Sequence, residues 1–378
     1  MAIEVAEYSR ARRTLSATAQ LLLALNLDGP LLVGLGLLAA YGLAILYSAS
    51  GQDLGTILRT LGRLALGTVA LLALSRATPH FLRRLAPWLY VAGVLLLAAV
   101  DVIGHVRHGA QRWLALGPVH FQPSEVMKLA VPMLGASMLR DRPLPPDWKA
   151  LLALAAVILP PVVLVALQPD LGTAALIAAG GLLVVLMAGL QVRLIVLLLL
   201  ATVIATVLGW HFMLHGYQRE RLLTFLHPQT DPLGSGYHII QSQIAIGSGG
   251  VFGTGWMNGS QAQLDFLPAR STDFIFAVVG EEFGLIGLLA LLGLYLFITG
   301  RALWLASQTG DTFSRLLASS LALTFFVYVF INAGMVSGLL PVVGVPLPLV
   351  SYGGSSMVTL LAGFGILMGL YSHRKLVA

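Results

Sequence analysis

A chain of 378 residues in which 57% are hydrophobic and only 10% charged cannot be covered by water as a soluble globule, so composition excludes a soluble enzyme and implies a polytopic membrane protein. The net charge of +6 is scattered rather than gathered into a basic stripe, which excludes a nucleic-acid face and suits attraction to anionic lipid headgroups. Cysteine is absent, so disulfides and thiolate metal sites are excluded as well.

Apolar runs near the ~20 residues needed to cross a bilayer occur at 31–47, 58–74, 88–103, 126–139, 151–167, 173–190, 194–214, 274–299, 316–339 and 357–371, which gives ten expected spans. The run at 126–139 is short, so it is expected to be tilted, shielded by neighbours or set against a cavity. The polar start through Arg13 gives no sign of a cleavable signal peptide. With both termini cytoplasmic, fourteen of the 22 basic residues fall in inside segments. Seven (Arg59, Arg63, Arg107, Arg112, Arg219, Arg221 and Arg270) fall in outside segments, and Lys128 lies in a span. This two-to-one bias predicts termini-in, with a cytoplasmic segment 1–25 and a large extracytoplasmic loop 215–272 between spans 7 and 8. No repeat or linker divides the chain, so residues 1–378 read as one domain. Within the loop, residues 238–246 alternate isoleucines with Gln241, Ser242 and Gln243, which suits a short helix at the interface.

The chemistry-bearing residues each have a plain reading beside a functional one. Asp273 stands at the mouth of the eighth span, either as an N-cap at the positive end of the helix dipole or as a functional carboxylate. Glu125 and Lys128, three apart, share a helix face; they form either a buried ion pair or a polar cavity wall. Asp170, in Gln168-Pro-Asp-Leu-Gly-Thr173, is expected to cap the sixth span unless it faces Asp273. Arg219 and Arg221 either snorkel to the headgroups or fork onto a phosphate. Gly247-Ser-Gly-Gly250 lacks the Lys and Thr of a P-loop and reads as a turn. Residues 341–354, with Pro341, Pro346, Pro348 and Gly353-Gly354, must be an ordered break between spans. Glu281 and Glu282 need partners inside the bundle or a wet cavity, and Asp101 is assigned nothing.

Several ordered runs resemble the SEDS family of RodA and FtsW: Tyr217-Gln-Arg-Glu-Arg221, Asp231-Pro-Leu-Gly-Ser-Gly-Tyr237, Gln241-Ser-Gln-Ile-Ala-Ile-Gly-Ser-Gly-Gly250 and Thr272-Asp-Phe-Ile-Phe-Ala277. Gln122-Pro-Ser-Glu-Val-Met-Lys128, the run at 168–173 and Ser351-Tyr-Gly-Gly-Ser355 add to the pattern, and Gln261-Ala-Gln-Leu-Asp-Phe-Leu-Pro268 is closer to the RodA branch. The resemblance implies an all-α polytopic protein that polymerises lipid II as a peptidoglycan glycosyltransferase during cell elongation. It implies Asp273 as the catalytic residue and Glu125, Lys128, Arg219, Arg221, Asp170 and Ser355 as the substrate- and diphosphate-binding set. The implied partners are lipid II, the membrane and a class B penicillin-binding protein. No cofactor is required with certainty, and a divalent cation, Mg or Mn, is an alternative counter-charge. Two rival readings are a flippase for the lipid-linked precursor, which would spread polar residues on both sides of the midplane, and a non-catalytic scaffold for a transpeptidase. The acids and motif runs gather toward the outside, which favours surface chemistry.

Overall fold

The structure, a computed structural model, describes residues 20, 24–103, 105–107, 110–116, 119–190, 196, 200, 235–264 and 266–373. The chain runs through α1 (Gly29–Ala49), α2 (Leu54–Leu74) and α3 (Pro79–Ile103), then an antiparallel sheet of β1 (His105–Arg107), β2 (Ala110–Leu116) and β3 (Val119–Phe121) in that order. α4 (Pro123–Leu139), α5 (Trp148–Leu167) and α6 (Leu171–Met187) follow. Beyond them come α7 (Ser235–Gly249), the single turn α8 (Ser260–Gln263), α9 (Ile275–Ser307), α10 (Thr312–Val336) and α11 (Ser355–His373). Among the described residues α1, α2, α3, α5, α9, α10 and α11 are long and apolar enough to cross a membrane, and α6 is a shorter apolar helix. The expected span at 194–214 falls almost wholly outside the described residues.

Helix starts follow from aspartate chemistry. Asp28, Asp53, Asp147, Asp170 and Asp311 each accept a backbone N–H in the first turn of α1, α2, α5, α6 and α10, satisfying donors that a helix leaves unpaired. Asp28 also takes both nitrogens of a fork from Arg301 of α9, at 3.0 and 2.8 Å, which pins α1 to α9.

The mostly helical class holds, and the small sheet is its one correction. The segment after α3 forms strands of three, seven and three residues, too short to span a membrane as helices. Boundaries also shift. α3 begins at Pro79 rather than 88, because Arg83 and Arg84 interrupt the apolar run without interrupting the helix. Arg59 and Arg63, expected in an outside segment, lie within α2.

The core gathers around α9, α10 and α11, where the Tyr295 and Phe325 rings pack tilted with centroids 5.6 Å apart and Phe325 meets Phe364 edge-on at 5.0 Å. α11 lies close against α2 because Gly365 and Gly369 leave no side chain between the helices; a Cβ on Gly369 would stand 2.7 Å from the Ser75 carbonyl. α4, only 17 residues long, is enclosed by α3, α5, α6, α10 and α11. Protein rather than lipid therefore surrounds Glu125 and Lys128, as the shielded reading of that short run required.

Candidate active site

Asp273 precedes α9, yet the position that caps the helix is Phe274, and no side chain bonds the first turn. The capping reading of Asp273 therefore fails. Its backbone is held instead: Asn332 donates to the Asp273 carbonyl at 2.8 Å and to Val345 at 2.7 Å, Ser351 donates to the Thr272 carbonyl, and Tyr352 N donates to Ser271 at 2.8 Å. The non-helical break at 337–354, expected from its prolines, thus clamps the turn that carries the acid. His238 of α7 stacks on Phe274 with ring centroids 5.7 Å apart and steadies the same turn from the other side. A carboxylate on so restrained a backbone is preorganised.

The side chain of Asp273 lines a cavity of about 580 Å³, with Arg63, Arg112, Trp113, Gln122, Glu125, Lys128, Asp170, Tyr352 and Ser355 among its walls. Five sequence-predicted residues (Asp273, Glu125, Lys128, Asp170 and Ser355) therefore meet in one space. Arg219 and Arg221 lie outside the described residues. Lys128 Nζ donates to Glu125 Oε1 at 2.7 Å with both side chains buried, and the ammonium sits 5.1 Å from the centre of the Tyr328 ring. The ion-pair and cavity-wall readings are thus both satisfied. Asp170 does double duty in the same way. One oxygen caps α6 at Thr173 N, 3.1 Å, while the other receives Gln122 Nε2 at 3.2 Å and faces Arg112 Nη1 at 3.5 Å. It also faces Asp273, the condition under which capping would not be its whole role.

Charge pairing across the cavity separates one group from the rest. Glu125 is matched by Lys128 and Asp170 by Arg112, whereas the Asp273 carboxylate accepts no hydrogen bond from any described residue. Burial, and after it the negative charge of Asp170, raise Asp273 from the ordinary 3.8 to about 6. A carboxyl so poised is ionised at neutral pH yet basic enough to take a proton.

Sequence reasoning missed Arg63, Arg112, Trp113 and Tyr352 as site residues. Arg63 reaches from α2, donates to the Tyr352 hydroxyl at 3.1 Å and lies 4.4 Å from that ring's centre. An arginine inside an apolar run is itself a functional signal, and this one was obscured by being assigned to an outside segment. Arg112 and Trp113 come from β2, where Arg112 Nε donates to the Gln168 carbonyl at 3.1 Å and Trp113 reaches Gly354 at the cavity edge. Their signal was the polar, glycine-broken segment that the all-helical expectation left without a structure. Glu281 and Glu282 lie outside this cavity and have partners. Glu281 accepts from Gln261 N and Ala262 N at 2.7 and 3.1 Å at the start of α8, and Glu282 accepts from Ser48. Residues 247–249 end α7 and Gly250 follows it; at Gly249 the missing side chain permits close approach to the Gly280 carbonyl. α7 does not lie free at the interface. It buries Ile239 and Ser242 against α9 and α10, with Ser242 Oγ donating to Val336 at 2.8 Å.

Among the described residues no three histidines, aspartates or glutamates are grouped to hold a metal ion.

Comparison with known proteins gives the family. Residues 26–376 match the model of the cell cycle protein family FtsW/RodA/SpoVE. The chain is 50% identical over 353 residues, 93% of its length and 95% of the relative's, to the peptidoglycan glycosyltransferase MrdB of Escherichia coli strain K12. A solved peptidoglycan synthase complex, described for its coordination of polymerization and crosslinking, contains a chain that superposes with a TM-score of 0.79 at 38% identity, covering 92% of this chain and 98% of that one. The crystal structure of the rod-shape-determining protein RodA of Thermus thermophilus superposes with a TM-score of 0.69 at 32% identity, covering 92% and 97%. With matched runs, multi-pass helical fold and relatives in agreement over nearly its whole length, the chain belongs to the FtsW/RodA/SpoVE family.

Proposed function

We propose that this protein is a peptidoglycan glycosyltransferase of the elongation branch that polymerises lipid II at the outer face of the bacterial cytoplasmic membrane, with both termini cytoplasmic. The observation that carries the mechanism is the Asp273 carboxylate, unpaired among the described residues, in a cavity whose other acids are paired. Asp273 is the general base: it takes the proton from the 4-hydroxyl of an acceptor GlcNAc as that oxygen attacks the anomeric carbon of a donor MurNAc. The C–O bond to the α-linked diphosphate breaks as the β-1,4 bond forms, so configuration inverts and polyprenyl diphosphate departs. One carboxylate suffices because the diphosphate leaves readily, unlike the sugar oxygens that glycosidases must protonate. Negative charge grows on the departing group. Arg63, Arg112 and Lys128, cations on the walls of the same cavity, supply the counter-charge, with Arg219 and Arg221 from the loop as further forks. Ser355 offers a hydroxyl with no protein partner among the described residues. A divalent cation, Mg or Mn, is the other source of positive charge, and Asp170 with Asp273 are the carboxylates that would hold it.

The similar chain sits in a synthase complex that coordinates polymerization and crosslinking, which supports a class B penicillin-binding protein as the partner here. The test is purified protein with lipid II, with and without that partner, followed by separation of glycan products. Polymer that persists when a β-lactam blocks the partner's transpeptidase site supports the reading. Strong inhibition by moenomycin, which targets an unrelated glycosyltransferase fold, or lipid II translocation without polymer, would overturn it.

A further inference from the structure

The segment between α7 and α8 belongs to the expected extracytoplasmic loop, and three observations place it at membrane depth. The first is its composition: no Asp, Glu, Lys or Arg occurs between Asp231 and Asp265. The second is its backbone. α9 breaks at Gly284 (φ 65, ψ −161), and the groups that the break frees are taken up by residues 250–255. Leu285 N donates to Gly250 O at 3.0 Å, Ile286 N to Val251 O at 3.2 Å, and Thr254 N and Gly255 N to the carbonyls of Glu281 and Glu282, each at 3.0 Å. An aqueous loop has no need to satisfy its backbone internally, whereas one in hydrocarbon must.

The third observation is depth. The Asp28–Arg301 fork marks one level of the bundle on both α1 and α9. Trp256 Nε1 donates to Ala44 O at 3.2 Å, sixteen residues along α1 from Asp28, roughly 24 Å at 1.5 Å per residue. Val251 bonds Ile286, fifteen residues along α9 from Arg301, roughly 23 Å by the same rise. The two rulers agree, and both fall short of the ~30 Å hydrocarbon thickness. At that level the side chains face outward: Phe252 is 81% exposed, Val251 52% and Trp256 47%, continuing the outward stripe of Leu285, Ile286 and Leu289 on α9.

We propose that residues 250–256 form a re-entrant wedge whose Phe252 and Trp256 contact lipid acyl chains, in the leaflet on the side of Asp273. The wedge anchors the broken helix in the bilayer, and with it the height of the turn that carries Asp273. Lacking cysteine, the chain accepts single nitroxide labels without background. Phe252→Cys reports on the wedge, with Val251→Cys as a second reporter should the first express poorly. Leu289→Cys serves as the lipid control and Asp141→Cys, in the exposed connection after α4, as the water control. In nanodiscs of phosphatidylethanolamine and phosphatidylglycerol, a wedge label should collide with oxygen several times more often than with a water-soluble nickel chelate, as the Leu289 label does. Nickel access equal to that at Asp141 would put the segment in water and overturn the proposal. Exclusion of both reagents would mean that protein covers the segment, and would overturn lipid as its occupant.

Discussion

Asp273 is raised to about 6 by burial first and by the Asp170 charge second, and each cause has a separable consequence. A general base must be ionised, so lipid II turnover should climb as pH rises through about 6 and level off above it. Asp273→Asn should fold and bind the partner yet lose ~100-fold to 10,000-fold of the polymer yield. Stability should move the other way. The folded protein keeps this proton up to about 6 whereas the unfolded chain releases it near 3.8, so ionisation costs stability that is absent at low pH and complete above the folded value. Asn removes that cost. The variant should be more stable than the parent at pH 7.5 by up to about 3 kcal/mol, seen as a higher melting temperature, and should lose most of that advantage at pH 4. Polymer from the Asn variant at parental yield would remove Asp273 from the mechanism. Asp170→Asn keeps the oxygen that caps α6 but removes the like charge, so the acidic limb of the rate profile should move to lower pH. An unmoved limb would mean that the two carboxylates do not sense each other.

Five helices owe their starts to aspartate caps, and α9 owes its shape to glycine. Gly284 holds φ 65 and ψ −161, a region that other residues essentially do not occupy, and a Cβ there would stand 2.6 Å from Val251 O and closer still to Gly253 N. Gly284→Ala should therefore destabilise by more than about 2 kcal/mol, visible as a lowered melting temperature, and should reduce polymerisation with it. A melting temperature equal to the parent's would show that the kink is not needed. The Asp170 cap, the proline break (expected at 341–354, found at 337–354) and most span cores were legible because each depends on residues within one or two turns. The sheet was not, because its three short strands pair only with one another, and Arg112 binds the distant Gln168 carbonyl. The extension of α3 to Pro79 was hidden for a different reason: Arg83 breaks an apolar run but sits 5.9 Å from the Phe313 ring, a neighbour that local sequence does not name.

For the molecule as a whole, the arginine bias predicts that the α1–α2 connection faces outside and the α4–α5 connection inside. Gln52→Cys, exposed between α1 and α2, should react with an impermeant maleimide in intact cells, and Asp141→Cys should react only after permeabilisation. The reverse pattern would put the Asp273 cavity on the wrong side for lipid II polymerisation. Membrane class, span positions, the capping aspartates and the family runs are properties of composition and of spacings within a few residues, so the amino-acid order determined them by itself. Which charges meet was decided by tertiary structure. Arg63 and Tyr352 are 289 positions apart and Gln122 and Asp170 48 apart, and no local period encodes such pairings. The same packing left Asp273 without a partner among the described residues and drew part of the extracytoplasmic loop down beside a broken helix. Both outcomes follow from the need to satisfy buried charges and backbone groups, a need that arises only once distant segments are brought together.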